Sequence, residues 1–579
     1  EIVEELYDSL KSVLNLLPLS HYIRSIVPSL KVAKDPMAVK VAKNFAVLAG
    51  QRVETEVSRA SLDDQVDSVV AEQLLPVLVD GIEKFSNTEL VQAYLDTFAI
   101  IVTRFGATMP EFAQSTHAKF LVASLRVITS EKGLLSDHVE IVVSSLSALT
   151  SIVNCLGVKC IGFFSKILPP ALAIWKSTLS ETNDDLGSES DDSDEDERNA
   201  LVQGAVLMLF SCLVKRMPAF VISSLLPMIR AVLMSEHVDS RIRLGVLGLM
   251  VEHIDGAQVL QAMCNMALTE NVYALENAVG LGLYLNGMVN VIEHCDKKAV
   301  TTHSSLFMRW MIKSFEFRSE HGEANFNDNT VHSIEHSFHE CGLKYVMKLN
   351  DKNFRPLFAS LVRWAVSGEG SGSQTAREIR LLSFFKFFNK LQDNLRSIIT
   401  SYFSYLLDAT VALLGEFQTG SVANTNLRRV VLHSLASSFK YDQDDYWTHQ
   451  SRFDSMVGPL LGQLANIEDA IGKHLVKAIS FFVANVSSDE HNDTIVQAFI
   501  RHISNEHDNS LQTKIWAVRS MKTVLQKMGE QWLSYLPMFI PYIAELLEDD
   551  DEAVEMEVRK DLVRVIESIL GEPLDRYLS

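Results

Sequence analysis

Leu536-Pro-Met-Phe-Ile-Pro-Tyr-Ile-Ala-Glu-Leu-Leu547, then Glu548-Asp-Asp-Asp-Glu552, then Ala553-Val-Glu-Met-Glu-Val558, is the stretch that decides the fold. Its first part places Leu536, Phe539, Ile540, Ile543, Leu546 and Leu547 on one stripe of an amphipathic helix. After the acidic turn the stripe resumes through Val554, Val558, Leu562, Val565, Ile566, Ile569 and Leu570. Two helices joined by a short polar turn form one unit. Strand-like alternation is not sustained anywhere along the chain, so the expected fold class is all-α.

The unit recurs. Leu427-Arg-Arg-Val-Val431, Ile471-Gly-Lys-His-Leu475, Leu511-Gln-Thr-Lys-Ile515 and Val554-Glu-Met-Glu-Val558 align, with starts separated by 44, 40 and 43 residues. That is the period of HEAT helix pairs, which cannot bury their apolar faces alone and stack into an alpha-alpha superhelix. Asp469, Asp508 and Asp551 precede three of the segments and suit helix capping. Val238-Asp-Ser-Arg-Ile-Arg243 has the same acidic-turn, basic-first-turn order. Pro opens or bends first helices at Leu75-Pro76, Leu168-Pro169, Leu226-Pro227 and Leu536-Pro537. The length and the period predict about a dozen pairs.

Two stretches interrupt the pattern. Residues 182–198 hold nine acids against one Arg and bury nothing, so they read as a disordered acidic loop. Ser188 and Ser193 each have an acid three residues on, which suits an acidophilic kinase. Ser367-Gly-Glu-Gly-Ser-Gly-Ser-Gln-Thr375 reads as a flexible connector. The expected organisation is HEAT-like repeats over 1–181 and 199–366, with C-terminal repeats over 376–579. The chain opens at Glu1 without an initiator Met, which points to a piece of a longer protein.

The net charge of −21 argues against general affinity for phosphate backbones, but the acidic loop accounts for −8 of it and leaves −13 elsewhere. Cys155, Cys160, Cys212, Cys264, Cys295 and Cys341 form no CxxC and read as buried free thiols of a reducing compartment. Sequons at Asn485 and Asn492 read as chance occurrences. No signal peptide is evident, and no apolar run reads as long enough to cross a membrane.

Catalytic motifs are scarce. His332-Ser-Ile-Glu335-His336 matches the H-x-x-E-H order of some zinc peptidases, and a helix would place both histidines on one face with His339 and Cys341 nearby. No third ligand follows, and Val331, Ile334, Phe338 and Leu343 make it an ordinary amphipathic helix. Gly280-Leu-Gly282 lacks a third glycine and a preceding strand. The expectation is no catalytic residue, no metal site, no cofactor and no small-molecule substrate.

Basic residues gather in one window. Lys344, Lys348, Lys352, Arg355, Arg363, Arg377, Arg380, Lys386, Lys390 and Arg396 face only Asp351, Glu369, Glu378 and Asp393, ten against four. They are the candidate contacts for RNA or an acidic partner. Phe384, Phe385, Phe387 and Phe388 lie among them and read as helix core. The opposite pole, Glu548–Glu552, either docks a basic partner or caps the last helix.

The quoted C-terminal stretch, followed by Leu570-Gly-Glu-Pro-Leu-Asp-Arg-Tyr-Leu578, resembles the end of the small nucleolar RNA-associated protein ten family. Lys348-Leu-Asn-Asp-Lys-Asn-Phe-Arg-Pro-Leu-Phe358 with Trp364-Ala365, and Arg380-Leu-Leu-Ser-Phe-Phe385, extend the resemblance back to about residue 340. The resemblance implies the C-terminal part of the large HEAT-repeat subunit of the small-subunit processome. It implies a nucleolar, non-enzymatic scaffold of the transcription-linked UTP sub-complex, supporting pre-rRNA transcription and early processing. Implied partners are other processome proteins and pre-rRNA or small nucleolar RNA, with no membrane. An importin-type nuclear transport receptor is the competing reading, because such receptors are also acidic HEAT solenoids.

Overall fold

Asn and Asp side chains start many of the helices. Asn87 accepts from Leu90 N at 3.0 Å, Asn277 from Gly280 N at 2.8 Å and Asn350 from Asn353 N at 2.9 Å. Each cap satisfies a first-turn N–H that has no partner within its helix. Asp551 does the same for Ala553 N at 2.9 Å. Asp508 does not: Ser510 is the residue that caps, accepting from Thr513 N. Asp469 already lies in the first turn of its helix, and its carboxylate accepts from the Trp516 indole at 3.3 Å in the next repeat.

The computed structural model describes residues 2–57, 64–109, 112, 114, 116–179, 192–368, 373–417 and 422–578. The described residues contain helices and turns and no strand. Two compact units divide the chain, Glu1–Ala299 and Val300–Ser579.

In the first unit, six second helices stack in sequence order, each against the next: α1 Pro36–Glu56, α2 Thr88–Thr108, α3 Val139–Leu156, α4 Asp192–Arg216, α5 Ser240–His253 and α6 Ala278–His294. A first helix precedes and packs on each, from Leu19–Leu30 to Gly256–Leu268. The second unit repeats the plan with α7 Asp328–Val346, α8 Gln374–Leu395, α9 Val422–Tyr441, α10 Asp469–Val486, α11 Leu511–Met528 and α12. Helix α12 runs from Glu552–Glu557 through a π-turn, Val558–Leu562, into Val563–Leu570. Among the described residues this makes two HEAT-type stacks of six pairs. The four aligned sequence segments fall in α9, α10, α11 and α12, so the repeat period does mark the second helices.

Small polar side chains fix the register between neighbours. Thr97 Oγ1 donates to Ala46 O at 3.1 Å in the first unit, and Gln392 Nε2 to Ser434 O at 2.9 Å in the second. Glycine lets the helices approach where an aromatic ring needs room. A Cβ on Gly472 would lie 2.3 Å from the Trp516 ring. Phe384, Phe385, Phe387 and Phe388 are all core residues, as their clustering suggested.

The structure departs from the sequence reading in three places. Asp192–Arg198 form the opening turns of α4, which puts Asp194 and Glu195 near the positive end of the helix dipole, while residues 182–191 lie outside the described residues. Gln374 and Thr375 belong to α8, capped by Ser373, while residues 369–372 are not described. Neither stretch divides the units; each joins a first helix to the second helix it packs on. Third, Val139–Ser177 and Ser193–Arg216 are long and apolar enough to cross a membrane, contrary to the sequence reading. Their apolar windows are 72% and 50% buried within the protein. A helix packed between neighbours is apolar on more than one side, so composition alone does not separate it from a membrane span.

Candidate functional site

The ten cations of the basic window do not form one patch. Lys352, Arg355 and Arg363 belong to the first helix Asp351–Ser367, and Lys348 to the turn before it. Lys344 lies near the end of α7, Arg377 and Arg380 at the start of α8, and Arg396 just past its end. Lys386 and Lys390, four residues apart on α8, line one recess together with residues of the neighbouring second helices.

Several of these charges are paired. Arg355 contacts Asp351 at 2.7 Å and stacks on Tyr402 with its guanidinium 4.8 Å from the ring centre. Arg377 reaches Glu416 at 2.9 Å, and Lys390 reaches Glu340 at 2.6 Å. The Lys390 ammonium pulls the Glu340 carboxyl below the usual carboxylate range. Burial pulls the Lys386 ammonium down, opposed by the nearby Glu335 carboxylate. Arg396 sits at φ 49°, closing α8, with its guanidinium 5.9 Å from the Tyr441 ring centre. Arg363 is exposed.

Lys386 and Lys390 border an open recess of about 760 Å³ that also takes in His332, Glu335 and His336 of α7, and His433 of α9. The H-x-x-E-H residues are therefore side by side on α7, but Glu335 is committed elsewhere. Arg318 Nε and Nη2 donate to its two oxygens at 2.8 and 2.9 Å, while Arg318 Nη1 reaches Asp328 at 2.7 Å. These carboxylates raise the Arg318 pKa further, so the guanidinium stays charged and Glu335 stays bound to it. His339 points inward, fully buried, with Nε2 3.3 Å from Ser383 Oγ; burial pushes its pKa down to about 3. Among the described residues no group of three or more His, Cys, Asp or Glu side chains is placed to hold a metal ion.

Other sequence candidates resolve into structural roles. In the acidic turn, Asp551 caps α12 and Asp549 pairs with Lys514 at 2.7 Å, leaving Glu548 and Asp550 exposed. All six cysteines are buried and none is in a disulfide, and burial pushes Cys160 and Cys212 up to about 12. Asn485 donates to Phe439 O at 3.0 Å and Asn492 is buried, so neither sequon presents a free amide. Ser193 is exposed on the first turn of α4, and Ser188 lies outside the described residues.

Reading by sequence window missed the cations that share the second-helix face. Arg429 and Lys473 come from the aligned repeat segments themselves, Lys477 from the next turn of α10, and Lys440 and Lys527 from the ends of α9 and α11. The usable signal was the repeat register, because equivalent positions of successive second helices are neighbours in space.

Comparison with known proteins is direct. Over the whole chain, the sequence is 54% identical to U3 small nucleolar RNA-associated protein 10 of Scheffersomyces stipitis, 54% to that of Candida albicans and 39% to that of Saccharomyces cerevisiae. The chain belongs to this family. It spans about a third of the length of these relatives, 31% in each case. The BP28CT (NUC211) domain matches residues 299–447, which include the whole basic window. Similarity to the family extends over the repeats before residue 340 as well, where sequence reading alone found no family motif.

Among solved structures, Kap121p bound to RanGTP aligns with 96% of the chain and 53% of its own, at 13% identity and TM-score 0.38. Importin beta aligns with 96% of the chain and 76% of its own, at 12% identity and TM-score 0.35.

Proposed function

We propose that this chain is a non-enzymatic scaffold of the small-subunit processome, acting in the nucleolus within the transcription-linked UTP sub-complex. There it supports pre-rRNA transcription and the early processing that leads to small-subunit rRNA. The observation that carries this reading is 54% identity, over the entire chain, to relatives named for association with U3 small nucleolar RNA. The architecture is consistent with the role. Stacked pairs expose long faces made of many equivalent helices, which suits binding several partners at once.

The partners are other processome proteins, with pre-rRNA or small nucleolar RNA held directly or through them. Within the basic window, Lys386, Lys390 and Arg396 are the contacts best placed to act together, since they lie on α8 and at its end beside α9. Exchanging all three for Glu should weaken particle association in a salt-sensitive way. Each lost phosphate contact should make the log–log salt dependence shallower by about 0.7–0.9. Recovery of particle components by the variant equal to wild type at every salt concentration would remove these residues from the interface.

A further inference from the structure

Positive charge accumulates where α9, α10 and α11 lie side by side. Arg429 and Lys440 come from α9, Lys473 and Lys477 from α10, and Lys527 from α11. Among the described residues, no carboxylate is within ion-pair distance of these five cations, although the adjacent Arg519 and Lys522 are paired with Glu557 and Asp561. The Arg429 Nε–H is buried and has no hydrogen-bond partner. The four lysines are exposed.

These charges repel one another across the helix boundaries. Burial pulls the His474 imidazole down, and Arg429, His433 and Lys477 pull it further. Lys527 is pulled down by burial and by Lys440 and Lys477. Lys440 and Lys527, from helices on either side of α10, converge on the same ring: their ammonium groups lie 5.8 and 3.4 Å from the centre of Phe481. The ring is half-buried and, with Trp516, borders an open recess of about 690 Å³, also lined by Glu557 and Asp561, whose carboxylates are already paired with Arg519 and Lys522. Water and salt screen the four exposed lysines, so their clustering does not strain the fold; it raises the local positive potential, which favours a polyanion at this face.

We propose that this face of α9, α10 and α11 is a contact for single-stranded RNA, with Arg429, Lys473, Lys477 and Lys527 on phosphates and Phe481 under a base. The choice of RNA as the occupant rests on the functional reading above and on the aromatic recess beside the cations. An acidic peptide would be satisfied by the cations alone, whereas a nucleotide supplies both a phosphate and a flat ring. Entry of phosphates would draw Lys440 and Lys527 away from the Phe481 face, exchanging weak cation–π contacts for charge-assisted hydrogen bonds and exposing the ring for stacking.

The test uses the full chain and a fluorescein-labelled oligouridylate of about 15 nucleotides, long enough to cross three helices. Anisotropy titrations over a salt series should show binding whose log–log slope is about −3, as for four phosphate contacts at about −0.7 each. The Lys473→Gln/Lys477→Gln/Lys527→Gln variant should bind at least about tenfold more weakly, with the slope shallower by about 2. The corresponding triple Arg variant should bind as wild type does, which separates charge from shape. Phe481→Leu, which keeps an apolar side chain, should weaken binding about tenfold through lost stacking. Circular dichroism of each variant should match wild type.

Failure of wild type to bind the oligonucleotide, or equal binding by the triple Gln variant, would overturn the proposal. So would poly-glutamate displacing the RNA as effectively as unlabelled oligouridylate, which would assign the face to an acidic protein. The functional reading fails differently: purification from extract would then yield no processome proteins, whatever the purified chain does with oligouridylate.

Discussion

Replacing Arg428 with Met should loosen a defined part of the second unit. Arg428 is 1% exposed, and its guanidinium joins α9 to the turn that leads into α10. Nε donates to Gln463 Oε1 at 2.9 Å, Nη2 to Gln463 O at 3.0 Å and Nη1 to Asn466 O at 2.6 Å. Gln463 and Asn466 in turn donate to Leu414 O and Phe417 O, at 2.6 and 2.7 Å, on the preceding first helix and its end. One side chain thus holds three segments in register.

Hydrogen bonds from a charged donor contribute about 1.5–3 kcal/mol each, and an orphaned buried acceptor costs about 1–3 kcal/mol. Opposing this, burial disfavours the charge and pushes the Arg428 pKa down to about 10, and a Met carries no such cost. The net expected loss is about 2–4 kcal/mol. Because stacked repeats open locally, the readout should be hydrogen exchange resolved along the chain, not a single melting temperature. Amides of Leu407–Glu416, Gln450–Gly462 and α10 should lose roughly thirty- to a thousand-fold in protection, while α1–α6 keep theirs. Unchanged protection around Gln463, or an equal loss in both units, would refute this account of the clamp.

Two further outcomes follow from other contacts. Gly472→Ala should destabilise α10 although Ala favours helix by about 1 kcal/mol, because its methyl would meet the Trp516 ring at 2.3 Å; a gain in stability on urea denaturation would contradict that geometry. His339 should make the second unit acid-sensitive. Its pKa of about 3 lies below the unfolded value of about 6.5, so unfolding takes up a proton and stability falls as pH drops below 6.5. Between pH 6.5 and 5 the loss from this residue is about 2 kcal/mol, and His339→Phe should flatten that part of the denaturation-versus-pH curve; an unchanged curve would show that His339 can ionise in place.

Much of the fold was legible because a repeat writes the same physical problem several times. The spacing of Leu427, Ile471, Leu511 and Val554 marked four successive second helices, and the Phe384–Phe388 cluster marked core. Other features depended on packing partners far away in sequence. Val139–Ser177 resembles a membrane span until its neighbours cover it, and Asp192–Arg198 is helical because an apolar stripe follows. The candidate site was the least legible. A window counts neighbours along the chain, whereas charge acts across helices: Arg377 is neutralised by Glu416, 39 residues away, and Lys390 by Glu340. Arg429, Lys473 and Lys527 belong together only once α9, α10 and α11 are placed side by side.

The central claim, a protein-docking scaffold of the processome, is tested most directly by affinity purification of this chain from cell extract, with and without RNase, read by mass spectrometry. The account predicts recovery of UTP sub-complex proteins that survives RNase. Recovery of a transport GTPase with basic cargoes, and no processome protein, would contradict it.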